Sequence, residues 1–263
     1  MNSKNTFLKL ILAFFNAFFL FGAVLFLVLS LLSLKKTVLF VAEKSDYNKK
    51  TAIEAEKQMN FIALAGGFGD EFFEGILTNS NNENDLEKFV ENAFESSTFE
   101  PENKDVEEKI NKKIFDFAES KMHGFSLETK GILEETARLC ISETKGAFYP
   151  DIMRYFCAFL GRFNKLFLGV FSVFAVLFST SCFLLSRQGR SGLKTSFLSA
   201  SFMCGAGPIF ILVLLRGKTL GIAHLWLKDF LKTYLNLGLI CLIVFALFIL
   251  IIALCIKKRP VSK

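Results

Sequence analysis

The chain has 263 residues, of which 52% are hydrophobic and 33 are phenylalanines. This composition is too apolar for an ordinary soluble domain of this length, which excludes that class and favours an integral membrane protein. Lysine and arginine outnumber aspartate and glutamate by 31 to 25. Strand-like alternation never persists, so the sequence predicts an all-α integral membrane protein with four transmembrane helices.

Four apolar stretches without charged residues are the predicted membrane spans: 11–34, 166–185, 195–215 and 234–256. Each is long enough to cross roughly 30 Å of hydrocarbon as a helix. The first stretch exceeds the roughly 7 to 15 apolar residues of a cleaved leader, and no small-residue cleavage site follows it. We therefore expect it to be an uncleaved signal anchor.

The charge distribution predicts the orientation. Residues 35–165 contain 18 basic and 24 acidic residues, whereas the rest of the chain contains 13 basic residues and one acidic residue. By the positive-inside rule, the basic segments 1–10, 186–194 and 257–263 are expected in the cytoplasm, which places residues 35–165 outside the cell membrane. The residues that set this orientation are Arg187, Arg190, Lys194, Lys257, Lys258 and Arg259.

The extracytoplasmic segment 35–165 has the periodicity of helices. Val106, Ile110, Ile114 and Phe117 share one helical face. Further helices are predicted from Leu127 to about Lys145, and from Asp151 straight into the second span. Residues 35–64 can extend the first membrane helix outward, whereas the Gly- and Asn-rich segment 65–85 predicts a break. We expect a small helical bundle on two stalks, each continuous with a membrane helix.

Residues 216–233 have the pattern of an outer interfacial amphipathic helix. Leu220, Ala223, Leu227, Phe230 and Tyr234 fall on one face, and three cationic or imidazole side chains recur every four residues on another. The aromatic side chains at 226 and 234 suit the headgroup level. The alternative is a simple outer extension of the fourth span.

Small residues concentrate in the third span and predict a helix-packing seam, because they let helix backbones approach closely within lipid. The residues of this seam are Ser196, Ala200, Ser201, Cys204, Gly205, Gly207 and Pro208. We expect 199–201 to bond across to 179–182 of the second span, with Pro208 bending the helix. The alternative is a kinked segment that lines a substrate site, as in transporters. The polar residue Asn16 in the first span is expected to bond another helix.

The six cysteines divide into two groups. Cys140 and Cys157 both lie in the predicted extracytoplasmic region and could form a disulfide, whereas the other four lie in spans and suit small apolar fillers. Two histidines without a recognisable ligand spacing give no support for a metal site. No nucleophile, phosphate loop or nucleic-acid signature is evident, so we expect no cofactor, no nucleic-acid partner and no catalytic activity.

Three functions fit these patterns. The favoured one is a multi-pass protein of the bacterial cell envelope whose ectodomain docks or senses a partner or ligand outside the cell, with the lipid bilayer and a protein as its partners. The second is a subunit of a transport system, since one span, an exterior domain and three spans is similar to the topology of macrolide-exporter and cell-division permeases. Against it, the turn 186–194 offers little surface to couple to an ATPase. The third is a membrane-bound enzyme.

Overall fold

The computed structural model describes residues 3–77, 83–95, 104–121, 127–188, 190–218 and 225–256, and these residues are helical apart from turns and short connections. The helices in chain order are α1 (Ser3–Leu32), α2 (Lys35–Lys44), α3 (Tyr47–Ala65), α4 (Glu83–Phe94), α5 (Lys104–Lys121), α6 (Leu127–Phe148), α7 (Asp151–Gln188), α8 (Arg190–Lys218) and α9 (Leu225–Cys255). The described ranges contain no strand, which confirms the all-α prediction.

Among the described residues, three helical stretches are long and apolar enough to cross a membrane: Thr6–Leu32, Thr129–Arg187 and Trp226–Cys255. They are compatible with a multi-pass membrane protein. The predicted span 195–215 falls within α8, but the side chains beyond Ala206 in this helix lie outside the described residues.

The chain forms two compact units. Unit 1 consists of Met1–Thr37 and Gly161–Lys263, and unit 2 consists of Val38–Leu160. In unit 1, α1, α8 and α9 share an apolar core to which each helix contributes a run of small or branched side chains. Its buried members are Ala17, Val24, Val28, Leu32, Ala200, Cys204, Leu242, Ala246 and Ile249.

Unit 2 has its own core, built by α3, α5, α6 and the turn-rich segment 66–77. α3 contributes Ala52, Ala55, Met59 and Ala63 to this core, spaced three or four residues apart, and the small alanine side chains let α6 pack closely against it. Val106, Ile110 and Ile114 of α5 are buried as their spacing predicts, and Phe117 packs against the same core. The predicted helices at Leu127 and Asp151 are confirmed by α6 and α7.

The predicted break after residue 65 is also confirmed. Gly67 and Gly75 adopt positive φ values of 86° and 76°, which L side chains rarely adopt. The segment folds back on α3, where the Asn60 side-chain oxygen accepts a hydrogen bond from Phe73 N at 2.6 Å and Glu56 Oε1 accepts one from Leu77 N at 2.7 Å. Phe73 and Leu77 are buried as a result.

Two sequence-based expectations about continuity are wrong. The first stalk is not an extension of α1, because α1 ends at Leu32 and new helices start at Lys35 and Tyr47. Asp46 separates the last two with a left-handed backbone, φ 53°, a conformation that aspartate tolerates better than most residues. The predicted interfacial helix 216–233 is not a separate helix in its described part either. Residues 216–218 belong to α8 and 225–233 are the start of α9, as the alternative of an extended fourth span predicts, and residues 219–224 lie outside the described ranges.

Candidate functional site

A polar cluster joins three helices of unit 1 around Asn16, which is fully buried. Asn16 Nδ2 donates to Ser181 Oγ of α7 at 2.6 Å and lies 3.2 Å from the carbonyl oxygen of Phe178. From α8, the Ser196 hydroxyl donates to Asn16 Oδ1 at 2.6 Å. The side-chain amide is therefore bonded at both its oxygen and its nitrogen, which confirms that Asn16 bonds other helices.

The seam residues of α8 face α9 and α1. Ser196, Ala200 and Cys204 are fully buried, and the Ser201 hydroxyl donates to the Ala246 carbonyl oxygen of α9 at 2.9 Å. A Cβ added at Gly205 would lie 3.9 Å from Ala246 Cβ, an ordinary contact. The side chains of Gly207 and Pro208 lie outside the described residues, although α8 runs through both positions.

The predicted hydroxyl pairing between the second and third spans is wrong. Ser179 and Thr180 are exposed, and their hydroxyls donate to carbonyl oxygens of their own helix, at Ala175 and Val176. A serine or threonine in a helix can satisfy itself in this way. Ser181 reaches α8 only through Asn16 of α1, which bonds the serines on both sides.

A glycine of α1 makes room for an aromatic ring of α7. The aromatic ring of Phe174 occupies the space where a Cβ at Gly22 would lie. Phe174 also stacks on Phe26 of α1 with 5.7 Å between ring centroids. Gly22 therefore leaves the space in which the Phe174 ring of α7 packs against α1.

A second polar cluster, here called the hub, surrounds the C-terminal end of α1. The last four carbonyl oxygens of a helix lack partners within it and must find others, which matters most away from water. Here all four accept hydrogen bonds. The donors are the Ser33 amide to Leu29 O, the Ser33 hydroxyl to Ser30 O, the Thr37 hydroxyl to Leu31 O and the Tyr234 hydroxyl to Leu32 O, at 2.7–3.0 Å.

Asn164 of α7 completes the hub. Its Oδ1 accepts a bond from the Ser30 hydroxyl, and its Nδ2 donates to the Ser33 carbonyl oxygen, each at 3.3 Å. The hub was missed by sequence reasoning, although three polar side chains at the edge of two apolar runs, Ser30, Ser33 and Asn164, are the pattern that could have indicated it.

Unit 2 has an exposed apolar groove between the end of α3 and the first half of α6. The groove has a volume of about 510 Å³ and is lined by Phe61, Ile62, Ala65, Gly66, Gly131, Ile132, Glu135, Thr136 and Leu139. Phe61 is 70% exposed, Ile132 54% and Leu139 40%. On the α6 rim, Arg138 forms a two-pronged ion pair with Glu135, with N–O distances of 2.6 and 2.8 Å. Aromatic and aliphatic side chains exposed side by side on such a unit are typical of an interaction surface.

Cys140 and Cys157 are both buried free thiols in this structure, and their bridging stays a prediction. Burial raises the pKa of each thiol to about 12, and at Cys140 the nearby Glu143 adds to the effect. Neither thiol is therefore a nucleophile at neutral pH.

Of the predicted orientation residues, Arg187 and Arg190 lie at the junction of α7 and α8 and Lys194 lies one turn into α8; Lys257, Lys258 and Arg259 lie outside the described residues. Among the described residues, no group of three or more His, Cys, Asp or Glu side chains could hold a metal ion. No family model, curated protein or solved structure matches the chain.

Proposed function

We propose that this chain is a four-span protein of the cell membrane whose helical domain, residues 35–165, lies outside the membrane and docks a protein partner there. In this proposal α8 is the fourth span beside the three apolar helical stretches already described, both termini are cytoplasmic, and the role is not catalytic. The observation that carries the proposal is the exposed apolar groove between α3 and α6, on a unit with its own core.

The groove and the charge of unit 2 together indicate the kind of partner. The lining is mostly apolar and runs along α6 from Gly131 to Leu139, about two helical turns, which suits the apolar face of an amphipathic helix. Unit 2 contains 24 acidic and 14 basic residues, a net charge of −10. We therefore assign the groove to a partner helix whose flanks are basic, because opposite charge speeds encounter and disfavours other partners.

The experiment is site-specific photocrosslinking in intact cells. A photoreactive phenylalanine analogue replaces Phe61 in the groove, and a matched control replaces Tyr155, which is 66% exposed and belongs to the same unit outside the groove. We expect one discrete protein adduct from position 61, lost when Ile132→Ser is added, and none from position 155. Equal adducts from both positions, or none from position 61, would count against docking at the groove.

The same cells test the transport alternative. A cytoplasmic ATPase recovered with the chain, whose activity falls with Arg187→Ala and Arg190→Ala, would favour a transport subunit over a docking protein. The observation against it is the tight α7–α8 connection, where one helix ends at Gln188 and the next begins at Arg190. We expect no such dependence.

A further inference from the structure

Five cations surround the end of the unit 1 bundle that carries the hub. These residues, here called the collar, are Lys36, Arg162, Lys165, Lys228 and Lys232. Arg162 and Lys165 lie within two residues of Asn164, and Lys36 follows Ser33 by three residues. Lys232 precedes Tyr234 by two residues, and Lys228 lies about one turn further along α9. Since Asn164 and Tyr234 both bond the end of α1, four of the collar residues lie within about one helical turn of a hub residue, and Lys228 lies about 9 Å from Tyr234 along α9.

The collar side chains are open to their surroundings. Lys36, Arg162, Lys165 and Lys232 are exposed, and Lys228 is partly exposed. The stretches that make up unit 1 contain 17 basic residues and a single acidic one, Asp229. Unit 1 itself therefore cannot supply enough carboxylates to neutralise the collar, and an anionic ligand would.

The spacing of the two polar clusters suits a position of the collar at the membrane boundary. Asn16 and Leu32 are 16 residues apart on α1, and Ser181 and Asn164 are 17 residues apart on α7. At a rise of 1.5 Å per residue, the clusters are about 24 Å apart, close to the roughly 30 Å thickness of the hydrocarbon layer. With the Asn16 cluster near one boundary, the hub lies near the other. The collar then lies among headgroups, together with Tyr234, whose residue type favours that depth.

We propose that the collar binds the phosphodiester groups of anionic phospholipids. Lysine and arginine make charge-assisted hydrogen bonds to phosphate oxygens, and basic clusters beside membrane helices attract anionic lipids. The inference rests on the membrane placement in the proposed function, but not on the docking partner. Bound lipids join the start of α2 to α7 and α9 through their headgroups and so stabilise the bundle.

The test is thermal unfolding of the purified full-length chain in neutral detergent, with added phosphatidylglycerol, phosphatidylcholine or inorganic phosphate. A ligand that binds only the folded state raises the Tm, and a saturating excess of phosphatidylglycerol should raise it by about 5 °C relative to phosphatidylcholine. A triple variant, Arg162→Gln, Lys165→Gln and Lys232→Gln, should lose most of this gain. The control triple variant, Arg187→Gln, Arg190→Gln and Lys194→Gln, removes the same charge at the α7–α8 junction and should keep it.

Several results would overturn the proposal. They are an equal gain with phosphatidylcholine, the same gain with inorganic phosphate alone, and equal losses in the two triple variants. If the collar variant does not fold, the wild-type chain is tested in 0.5 M salt. The salt should remove the gain in Tm with phosphatidylglycerol, because screening weakens exposed ion pairs. A gain that salt leaves unchanged contradicts lipid binding at the collar. A negative result in a chain that still unfolds cooperatively in detergent leaves the docking proposal untouched.

Discussion

Ser196 and Asn16 are joined by a 2.6 Å hydrogen bond between a serine hydroxyl of α8 and the side-chain oxygen of an asparagine in α1. The same asparagine donates to Ser181 of α7, so one amide of α1 bonds two helices that are adjacent in sequence. α1 therefore carries the side chain that hydrogen-bonds both α7 and α8.

Replacing Asn16 with alanine should destabilise unit 1. The change leaves the Ser181 and Ser196 hydroxyls without their shared partner, and hydrogen bonds between membrane helices contribute about 0.6–1.7 kcal/mol each. We expect a loss of about 1–3 kcal/mol, seen as a Tm lowered by several degrees in detergent. Ser179→Ala is the matched control, because that hydroxyl is exposed and bonded only within its own helix; an equal loss in the control would refute the role of the cluster.

Gly22→Leu should separate α1 from α7. The Phe174 ring already occupies the position of the new Cβ, so the ring or the helix must move. Gly169→Leu is the control, since nothing lies within 4 Å of its Cβ position. A cysteine pair introduced across the α1–α7 contact should crosslink less in the Gly22 variant than in the control. Restored crosslinking on adding Phe174→Ala would show that the ring is the obstacle, and unchanged crosslinking in Gly22→Leu would contradict the contact.

Gly205 should tolerate alanine but not leucine. The nearest atom to an added Cβ is the Ala246 Cβ at 3.9 Å, which is an ordinary contact distance, whereas a leucine must push its branched end against α9. Thermal unfolding in detergent should show Gly205→Ala near the wild-type Tm and Gly205→Leu below it by several degrees. Equal Tm values for the two variants would mean that α8 and α9 do not pack closely there.

Unit 2 should lose stability at alkaline pH. The folded chain holds the protons of Cys140 and Cys157 up to a pKa of about 12, compared with the ordinary value of 9.0. Burial also raises the pKa of Tyr47, helped by its proximity to Cys157 and Tyr149. The unfolded chain releases these protons first, so the stability is fully present below about pH 9 and falls as pH rises above it.

Thiol labelling during a denaturant titration measures this loss of stability at alkaline pH. At pH 8, Cys140 and Cys157 should resist iodoacetamide in the folded chain and react when it unfolds. The denaturant concentration at the unfolding midpoint should decrease as the pH is raised from 9 to 11. A midpoint that does not move over this range would show that the three groups titrate alike in both states. Cys157→Ser together with Cys140→Ser should reduce the pH dependence, leaving the part due to Tyr47.

The helices of unit 2 could be predicted because their apolar residues repeat at helical spacing, as in the Val106–Ile114 stripe of α5. The partner of each buried face could not. An antiparallel hairpin predicts that 199–201 bond 179–182, yet Ser181 bonds Asn16 from a distant part of the sequence and Ser201 bonds α9. Periodicity shows which residues face inward, whereas helix neighbours depend on single polar or glycine positions such as Asn16, Asn164 and Gly22.

The most direct test of the four-span proposal is its sidedness. The five collar cations lie on the side that the proposal places outside, whereas the positive-inside rule favours basic residues in the cytoplasm. The collar therefore opposes the orientation that the other basic segments favour. A cysteine introduced at Lys57 in unit 2, or at Arg190 at the α7–α8 junction, is treated with a membrane-impermeant maleimide in intact and permeabilised cells, with the parental chain as background. We expect labelling at 57 in intact cells and at 190 only after permeabilisation; the reverse pattern would contradict the proposed orientation.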